Sequence, residues 1–476
     1  MTLKIRALSG VKWTGFATVV ITLTSLTQLS VLARLLGPEA FGLMAILMVV
    51  IGFAQAFMDM GISNAIIHKQ SISHSQLSSL YWLSVFSGMI LLLVIFLISP
   101  LVARFYEEPA LQQPMKILSL VFLIGSIGSQ YKILCQKELQ FNTIAKIDIT
   151  CAISGLSVAV FLAWIDFGVY ALVFGMLTQA SVSSTLYLIV GLKQHHVPSF
   201  SFRHKDLNGF YSFGLYQMGE RSINYISANF DKIIIGKMLG MEAVGFYNIA
   251  WQLIIFPLSK INPIVNNVAF PIYAKVQSDP VLLNNYYSIT VKALSLITIP
   301  MLVFLSFFST DIVFIIFGAG WNVTANLVKI LAIVGILKAL GNPGGAILMA
   351  KGYANIGFWW NMVWSTILVI GLYLSLSYKA DIETVPWVLL ILSIISAPVW
   401  HYLISRFGAI KYKPIIIHIG KTIIICFLIA FIAVKIINYF EINSHLKIIL
   451  SILICAVMYF PYLWLFEKHF IKKIRK

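Results

Sequence analysis

The chain has 476 residues, of which 59% are hydrophobic and only 11% charged, and it carries a formal net charge of +17. A soluble domain is about a quarter charged and roughly half apolar, so this composition argues against a soluble enzyme, a disordered chain or a disulfide-stapled secreted protein and leaves a polytopic membrane protein. A basic balance of this size fits nucleic acid, anionic lipid or membrane topology, and composition alone does not choose among them.

In chain order, Lys4, Arg6 and Lys12 precede an apolar run too long for a signal-peptide core and without a small-residue cleavage site. It is expected to stay as the first membrane helix. A membrane helix needs about 20 mostly apolar residues. Fourteen stretches qualify, near 13–33, 41–66, 77–98, 115–135, 146–165, 168–192, 211–236, 243–272, 286–308, 325–350, 355–378, 384–404, 414–437 and 446–466. The stretch 211–236 is the one most studded with polar residues. Asp311–Phe317 is too short to span and reads as a re-entrant or capping turn. The four cysteines have no CxxC spacing and read as small apolar fillers, the nine histidines form no HExxH, and no Walker loop or dinucleotide fingerprint occurs. No metal site is expected.

Basic residues set the orientation, because cytoplasmic loops are enriched in Lys and Arg. With the N-terminus inside, 22 of the 34 basic residues fall on the inner side and nine on the outer. Both termini are then cytoplasmic, and the whole +17 sits on the inner face, so no nucleic-acid partner is needed to explain it. Twelve helices would place the ends in the same way, so the number fourteen rests on hydropathy.

The sequence repeats. RLLGPEAFG at 34–42 matches KMLGMEAVG at 237–245, pairing Leu36 with Leu239, Gly37 with Gly240, Glu39 with Glu242, Ala40 with Ala243 and Gly42 with Gly245. Further on, Lys116–Leu118 matches Lys329–Leu331, Val121 matches Val334 and Gly128 matches Gly341. The unit is six helices, so both copies enter the membrane in the same sense. Parallel repeats of this kind build transporters with a substrate site between the halves. The expected fold is therefore all-α, with two parallel six-helix repeats plus two C-terminal helices. The expected divisions are a first lobe at 1–210, a second at 211–404, and two further helices with a basic tail at 405–476.

Polar residues at helical spacing share a face. Gln217, Glu220, Asn224, Ser227 and Asp231 form one stripe; Gln55, Asp59 and Ser63 form another; Asn248, Gln252, Ser259, Asn262 and Asn266 a third. In lipid such stripes face protein or water, and a hydrated cavity is favoured over helix–helix glue. An ionised side chain at mid-membrane costs roughly 2.5–3.5 kcal/mol on insertion scales, which singles out Asp59, Glu220, Arg221, Lys260 and Lys338. Lys338 is closest to mid-depth. Arg221, Lys260 and Lys338, with Gln217 and Asn224, are the expected binding residues for a phosphate or pyrophosphate and glycan. Asp59 and Glu220 are counter-ions or protonatable groups for ion coupling. Pro257, Pro263 and Pro271, and the run Gly341–Gly345, read as hinges that interrupt their helices.

The run FDKIIIGKMLGMEAVGFYNIAWQL at Phe230–Leu253, its first-half counterpart ARLLGPEAFGLMAI and FPIYAKVQSD at Phe270–Asp279 resemble the polysaccharide-transporter branch of the multidrug/oligosaccharidyl-lipid/polysaccharide exporter superfamily. The resemblance covers essentially the whole chain and is strongest to the colanic-acid and teichuronic-acid type of flippase. It implies a non-enzymatic transporter in the bacterial inner membrane. Such a transporter flips undecaprenyl-pyrophosphate-linked oligosaccharide units by alternating access, for exopolysaccharide, O-antigen or capsule synthesis. Its partners would be the lipid-linked oligosaccharide, membrane lipids and other polysaccharide-assembly proteins. It implies no cofactor beyond coupling to a proton or sodium gradient, and it makes the last two helices a groove for the lipid tail. The alternatives are a drug/cation antiporter of the same superfamily, which would want an acidic aromatic cavity, and a membrane glycan polymerase or ligase, which would want a large outer loop.

Overall fold

The computed structural model describes residues 3–58, 72–194, 196–200, 224–439 and 443–467, together with Ile66, Phe202 and Ser222. Among these residues the chain is helical, with no strand. The helices are α1 (Leu3–Leu35), α2 (Pro38–Met58), α3 (His74–Tyr106), α4 (Gln112–Leu118), α5 (Leu120–Lys137), α6 (Phe141–Trp164), α7 (Val169–Lys193), α8 (Phe230–Leu239), α9 (Met241–Lys275), α10 (Pro280–Phe307), α11 (Ser309–Phe317), α12 (Asn322–Ala350), α13 (Ala354–Tyr378), α14 (Thr384–Gly408), α15 (Tyr412–Asn438) and α16 (Ser444–Phe466). Thirteen spans among the described residues are long and apolar enough to cross a membrane. They answer to every expected span except 211–236, nearly half of which lies outside the described residues. The short Asp311–Phe317 segment belongs to α11, a helix of nine residues.

Local chemistry starts these helices where they start. Ser73 caps α3 by accepting from the Gln76 amide while the Gln76 side chain accepts from the Ser73 amide, which satisfies two amides that helix geometry leaves open. Asp279 accepts from the amides of Val281 and Leu282 at 2.9 and 3.0 Å, and Pro280 begins α10 where no amide is missed. Faces that meet no other helix stay apolar, as on α13 (Ile370, Leu374) and α16 (Leu453, Val457). Such faces are stable only against lipid.

By packing, the chain resolves into two compact units, Met1–Gly245 and Phe246–Lys476. In the first, α6 packs along α1 and α7, and α5 along α3 and α7. In the second, α12 lies between α10 and α14, α13 covers α14, and α15 joins α10 to α16. The boundary falls one turn into α9, so packing groups α8 with the first unit, whereas the repeat assigns its segment to the second lobe.

The repeated motif accounts for that grouping. A Cβ at Gly42 would overlap the carbonyl oxygen of Met241, and a Cβ at Gly245 would overlap that of Pro38. Pro38 and Met241 occupy the same position in the two copies of the motif, as do Gly42 and Gly245. The first turns of α2 and α9 therefore cross in a reciprocal, locally two-fold contact that only glycine permits. The motif residues Gly42 and Gly245 are structural.

Candidate functional site

Helices α9, α12, α13 and α14 of the second unit enclose a cavity of about 560 Å³, within the roughly 300–1,000 Å³ range of small-molecule sites. Trp251, Ser259 and Asn262 reach it from α9, Lys338, Gly341 and Asn342 from α12, Trp360, Asn361 and Trp364 from α13, and Ser393, Trp400 and His401 from α14. Trp360 and Trp364 stand one turn apart, so they share a face of α13.

The indoles are held in place. Trp360 stacks on Trp400 with ring centroids 5.2 Å apart and planes 28° from parallel. Trp400 Nε1–H donates to the Gly341 carbonyl at 3.0 Å. A Cβ at Gly341 would lie 3.2 Å from Trp400 Cδ1, and one at Gly344 would overlap Ile404. The glycine run is thus the seat of α14 on α12. This corrects the expected hinge: α12 runs unbroken from Asn322 to Ala350, with Pro343 buried inside it. Helix α9 likewise continues through Pro257, Pro263 and Pro271. Neighbouring helices stabilise proline-containing membrane helices of this kind.

Lys338 sits in the middle of the 29-residue α12. Ala339 and Leu340 beside it are buried in the helix packing, whereas Lys338 is exposed to the cavity. Its Nζ lies 4.4 Å from the centroid of the Trp251 ring, a cation–π contact worth about 0.5–2 kcal/mol. Three lining residues carry buried polar atoms without a hydrogen-bond partner: Trp251 Nε1, Asn262 Oδ1 and His401 Nδ1. Buried polar groups are normally paired; these three atoms have almost no exposed surface, so they lie behind the cavity wall. Among the described residues no aspartate or glutamate lines it.

Of the residues expected from the sequence, Lys338 lies in this cavity, as do Ser259 and Asn262 of the α9 stripe. Asn224 is exposed and belongs to the first unit, where its carbonyl accepts from the Ala228 amide. Lys260 falls within α9, but its side chain is outside the described residues, and so are Asp59, Gln217, Glu220 and Arg221 altogether. The four tryptophans and His401 were not expected from the sequence. The spacing of Trp360 and Trp364 was the available signal, but a tryptophan in an apolar run reads equally as core or interfacial belt.

The first unit holds a second polar centre. Lys132 of α5 and Asp148 of α6, tallied by sequence with the inner-side charges, lie inside their helices and pair at 3.1 Å. The Tyr187 hydroxyl donates to the same carboxylate at 3.1 Å. With Gln179 and Ser183 the pair lines a cavity of about 430 Å³. Near the C-terminus, Pro300, Met301 and Phe304 of α10, Cys426 and Ile429 of α15, and Ile452, Cys455 and Tyr459 of α16 line an apolar pocket of about 250 Å³. Its two thiols are unpaired with any disulfide partner, as expected of apolar fillers.

Comparison with known proteins gives these sites a context. The sequence pattern of the family described as polysaccharide biosynthesis protein matches residues 31–326. The chain is 34% identical over 459 residues to the teichuronic acid biosynthesis protein TuaB of Bacillus subtilis (strain 168), covering 95% of this chain and 94% of that protein. It is 34% identical to the lipopolysaccharide biosynthesis protein WzxC of Escherichia coli (strain K12), over 78% of this chain and 75% of that one. Among solved structures it superposes on the lipid II flippase MurJ in an inward closed conformation, with a TM-score of 0.75, 14% identity, and 96% and 99% of the two chains covered. It also superposes on an inward-facing multidrug resistance transporter of the MATE family and MOP superfamily, with a TM-score of 0.61, 16% identity, and 82% and 96% covered. At these identities the solved structures establish the fold alone, that of an all-α polytopic membrane protein. The sequence relatives establish the rest: the chain belongs to the polysaccharide biosynthesis protein family.

Proposed function

We propose that the protein is a flippase that moves an undecaprenyl-pyrophosphate-linked oligosaccharide from the inner to the outer leaflet of a bacterial cytoplasmic membrane. Both termini would lie on the cytoplasmic side, and transport would proceed by alternating access of two six-helix lobes, 1–210 and 211–404. The observation that carries the reading is Lys338: a lysine at mid-helix in a cavity lined by four tryptophans and several amides and hydroxyls. A basic, aromatic, hydroxyl-compatible site suits an anionic headgroup with sugars attached. A drug/cation antiporter would want an acidic aromatic cavity, and among the described residues this lining holds Lys338 and no carboxylate.

The apolar pocket of α10, α15 and α16 supports the same reading. A lipid tail needs a surface free of charge, and among the described residues lining this pocket none is charged. Arg221, Lys260, Gln217 and Asn224 remain proposed binding residues for the pyrophosphate and glycan. Asp59 and Glu220 remain proposed groups for coupling to a proton or sodium gradient. The names of TuaB and WzxC concern teichuronic acid and lipopolysaccharide biosynthesis, which agrees with a transport step between assembly of the repeat unit and its polymerisation. A polymerase or ligase would need an extramembrane catalytic loop, and the sequence leaves only short outer stretches for one.

The test is leaflet-resolved detection of the lipid-linked oligosaccharide in a deletion strain. Accumulation on the cytoplasmic leaflet is expected. Accumulation on the outer leaflet would assign the chain to a later, polymerising or ligating step.

A further inference from the structure

We infer that the second unit contains a dedicated saccharide subsite: the Trp360–Trp400 pair stacks a pyranose ring, and Lys338 selects one that carries an anionic group. The inference rests on the flippase reading and adds the part of the cargo that this cavity recognises. A pyranose has an apolar face of axial C–H bonds and a rim of equatorial hydroxyls. The C–H face packs on the electron-rich face of an indole, and the rim needs hydrogen-bond partners at the edges.

The cavity has both elements. Trp360 and Trp400 are half-buried and locked parallel to within 28°, with Trp400 tethered to Gly341, so the aromatic face is ordered before any ligand arrives. Preorganisation of this kind lowers the entropic cost of binding. Ser259, Asn361, Ser393 and Ser396 line the same cavity and supply hydroxyl and amide hydrogen-bond partners. A lipid tail cannot use them, and a hydroxyl, donor and acceptor at once, can. Among the described lining residues Lys338 carries the only formal charge, so an acidic sugar is favoured over a neutral one and a cationic one is disfavoured.

The anionic group has two sources with the same chemistry, a uronic acid carboxylate within the glycan or the phosphate on the first sugar. The experiment separates them. Intrinsic tryptophan fluorescence of the full chain in detergent is titrated with a glucuronic-acid-containing disaccharide, with glucose 1-phosphate and with neutral maltose. Quenching by at least one anionic sugar at about tenfold lower concentration than maltose is expected, the size of one charge-assisted hydrogen bond. The disaccharide acting first assigns the carboxylate, and glucose 1-phosphate acting first assigns the phosphate. Lys338→Gln should abolish the preference while keeping the maltose response. Trp360→Ala should lose both responses, and Trp400→Phe, which keeps an aromatic face without its tether, should keep part of each. Trp359→Ala, beside the pair but outside the cavity lining, controls for loss of a fluorophore and should leave both unchanged.

Equal response to neutral and anionic sugars, or no saccharide response from monodisperse wild-type protein, overturns the inference. No sugar response together with intact leaflet transfer in cells removes the subsite and leaves the flippase. Sugar binding with no leaflet transfer removes the flippase and leaves the subsite.

Discussion

Lys338 and Trp251 face each other across α12 and α9, with the ammonium 4.4 Å from the indole centroid. The contact offsets part of the desolvation of a mid-membrane charge and aims that charge into the cavity instead of toward lipid. Lys338→Ala is expected to lower export of the oligosaccharide by about tenfold or more, the effect of losing one charge-assisted contact, with normal amounts of protein in the membrane. Lys338→Arg should retain most of the export. Glycan secretion normalised to membrane protein level is the measurement, and full export by the alanine variant would remove Lys338 from the site.

Gly42 and Gly245 each leave room for a backbone carbonyl of the other motif copy. Backbone atoms cannot move aside cheaply, so Gly42→Ala or Gly245→Ala should destabilise the protein by about 1–3 kcal/mol. Thermal unfolding in detergent reads this directly. Gly37→Ala, where an added Cβ meets nothing within 4 Å, should unfold close to wild type.

The Lys132–Asp148–Tyr187 group predicts non-additivity. Removing one partner of an ion pair leaves the other uncompensated, so Asp148→Ala and Lys132→Ala should each destabilise the first unit. The double variant should be less destabilised than the sum of the two by about 1 kcal/mol, since the pair is partly exposed. Additive losses in a double-mutant cycle would mean that the two side chains do not interact in the folded protein.

Filling the apolar pocket tests its proposed role. Ala456→Trp places an indole among Met301, Cys426 and Cys455. Transport of the lipid-linked substrate should fall while the fluorescence response to sugars persists, because the two cavities share no lining residue. Parallel loss of both responses would show a global effect and not a blocked tail site.

Glu107 follows α3, and Lys237 lies in the last turn of α8 with its Nζ 2.7 Å from the Glu107 carboxylate. The hydrogen bond and then the charge of Lys237 hold the Glu107 carboxyl below its ordinary value. A depressed carboxyl stabilises the fold above its unfolded value and loses that contribution as pH falls through the folded one. The difference in unfolding temperature between wild type and Glu107→Gln should therefore be small at neutral pH, where the exposed pair is screened. It should shrink as pH falls below the ordinary glutamate range and vanish once the folded carboxyl itself is protonated.

The membrane spans were legible because 20 apolar residues in a row have no other stable use, and Lys338 was legible because a charge at mid-depth demands an explanation. The interruptions expected at Gly341–Gly345 and in α9 are absent, because small residues and prolines look alike in sequence whether they break a helix or sit within an unbroken one. Trp400 and Ile404 lie about 60 residues further along the chain, and only their docking shows that Gly341 and Gly344 make room for them. The pairing of Lys132 with Asp148 was hidden in the same way, since each taken alone reads as a charge near a helix end.

The sequence by itself therefore determined what depends on local composition: a helical membrane protein, its spans, its internal repeat and the basic mid-helix residue. Tertiary structure decided what depends on which faces meet. It gathered Trp251, Lys338, Trp360 and Trp400 from four helices around one cavity, left three polar atoms there without partners, and placed the two motif glycines against each other's helix. Hydropathy reports the free energy of leaving water residue by residue, whereas a binding site is a property of distances between residues far apart in the chain.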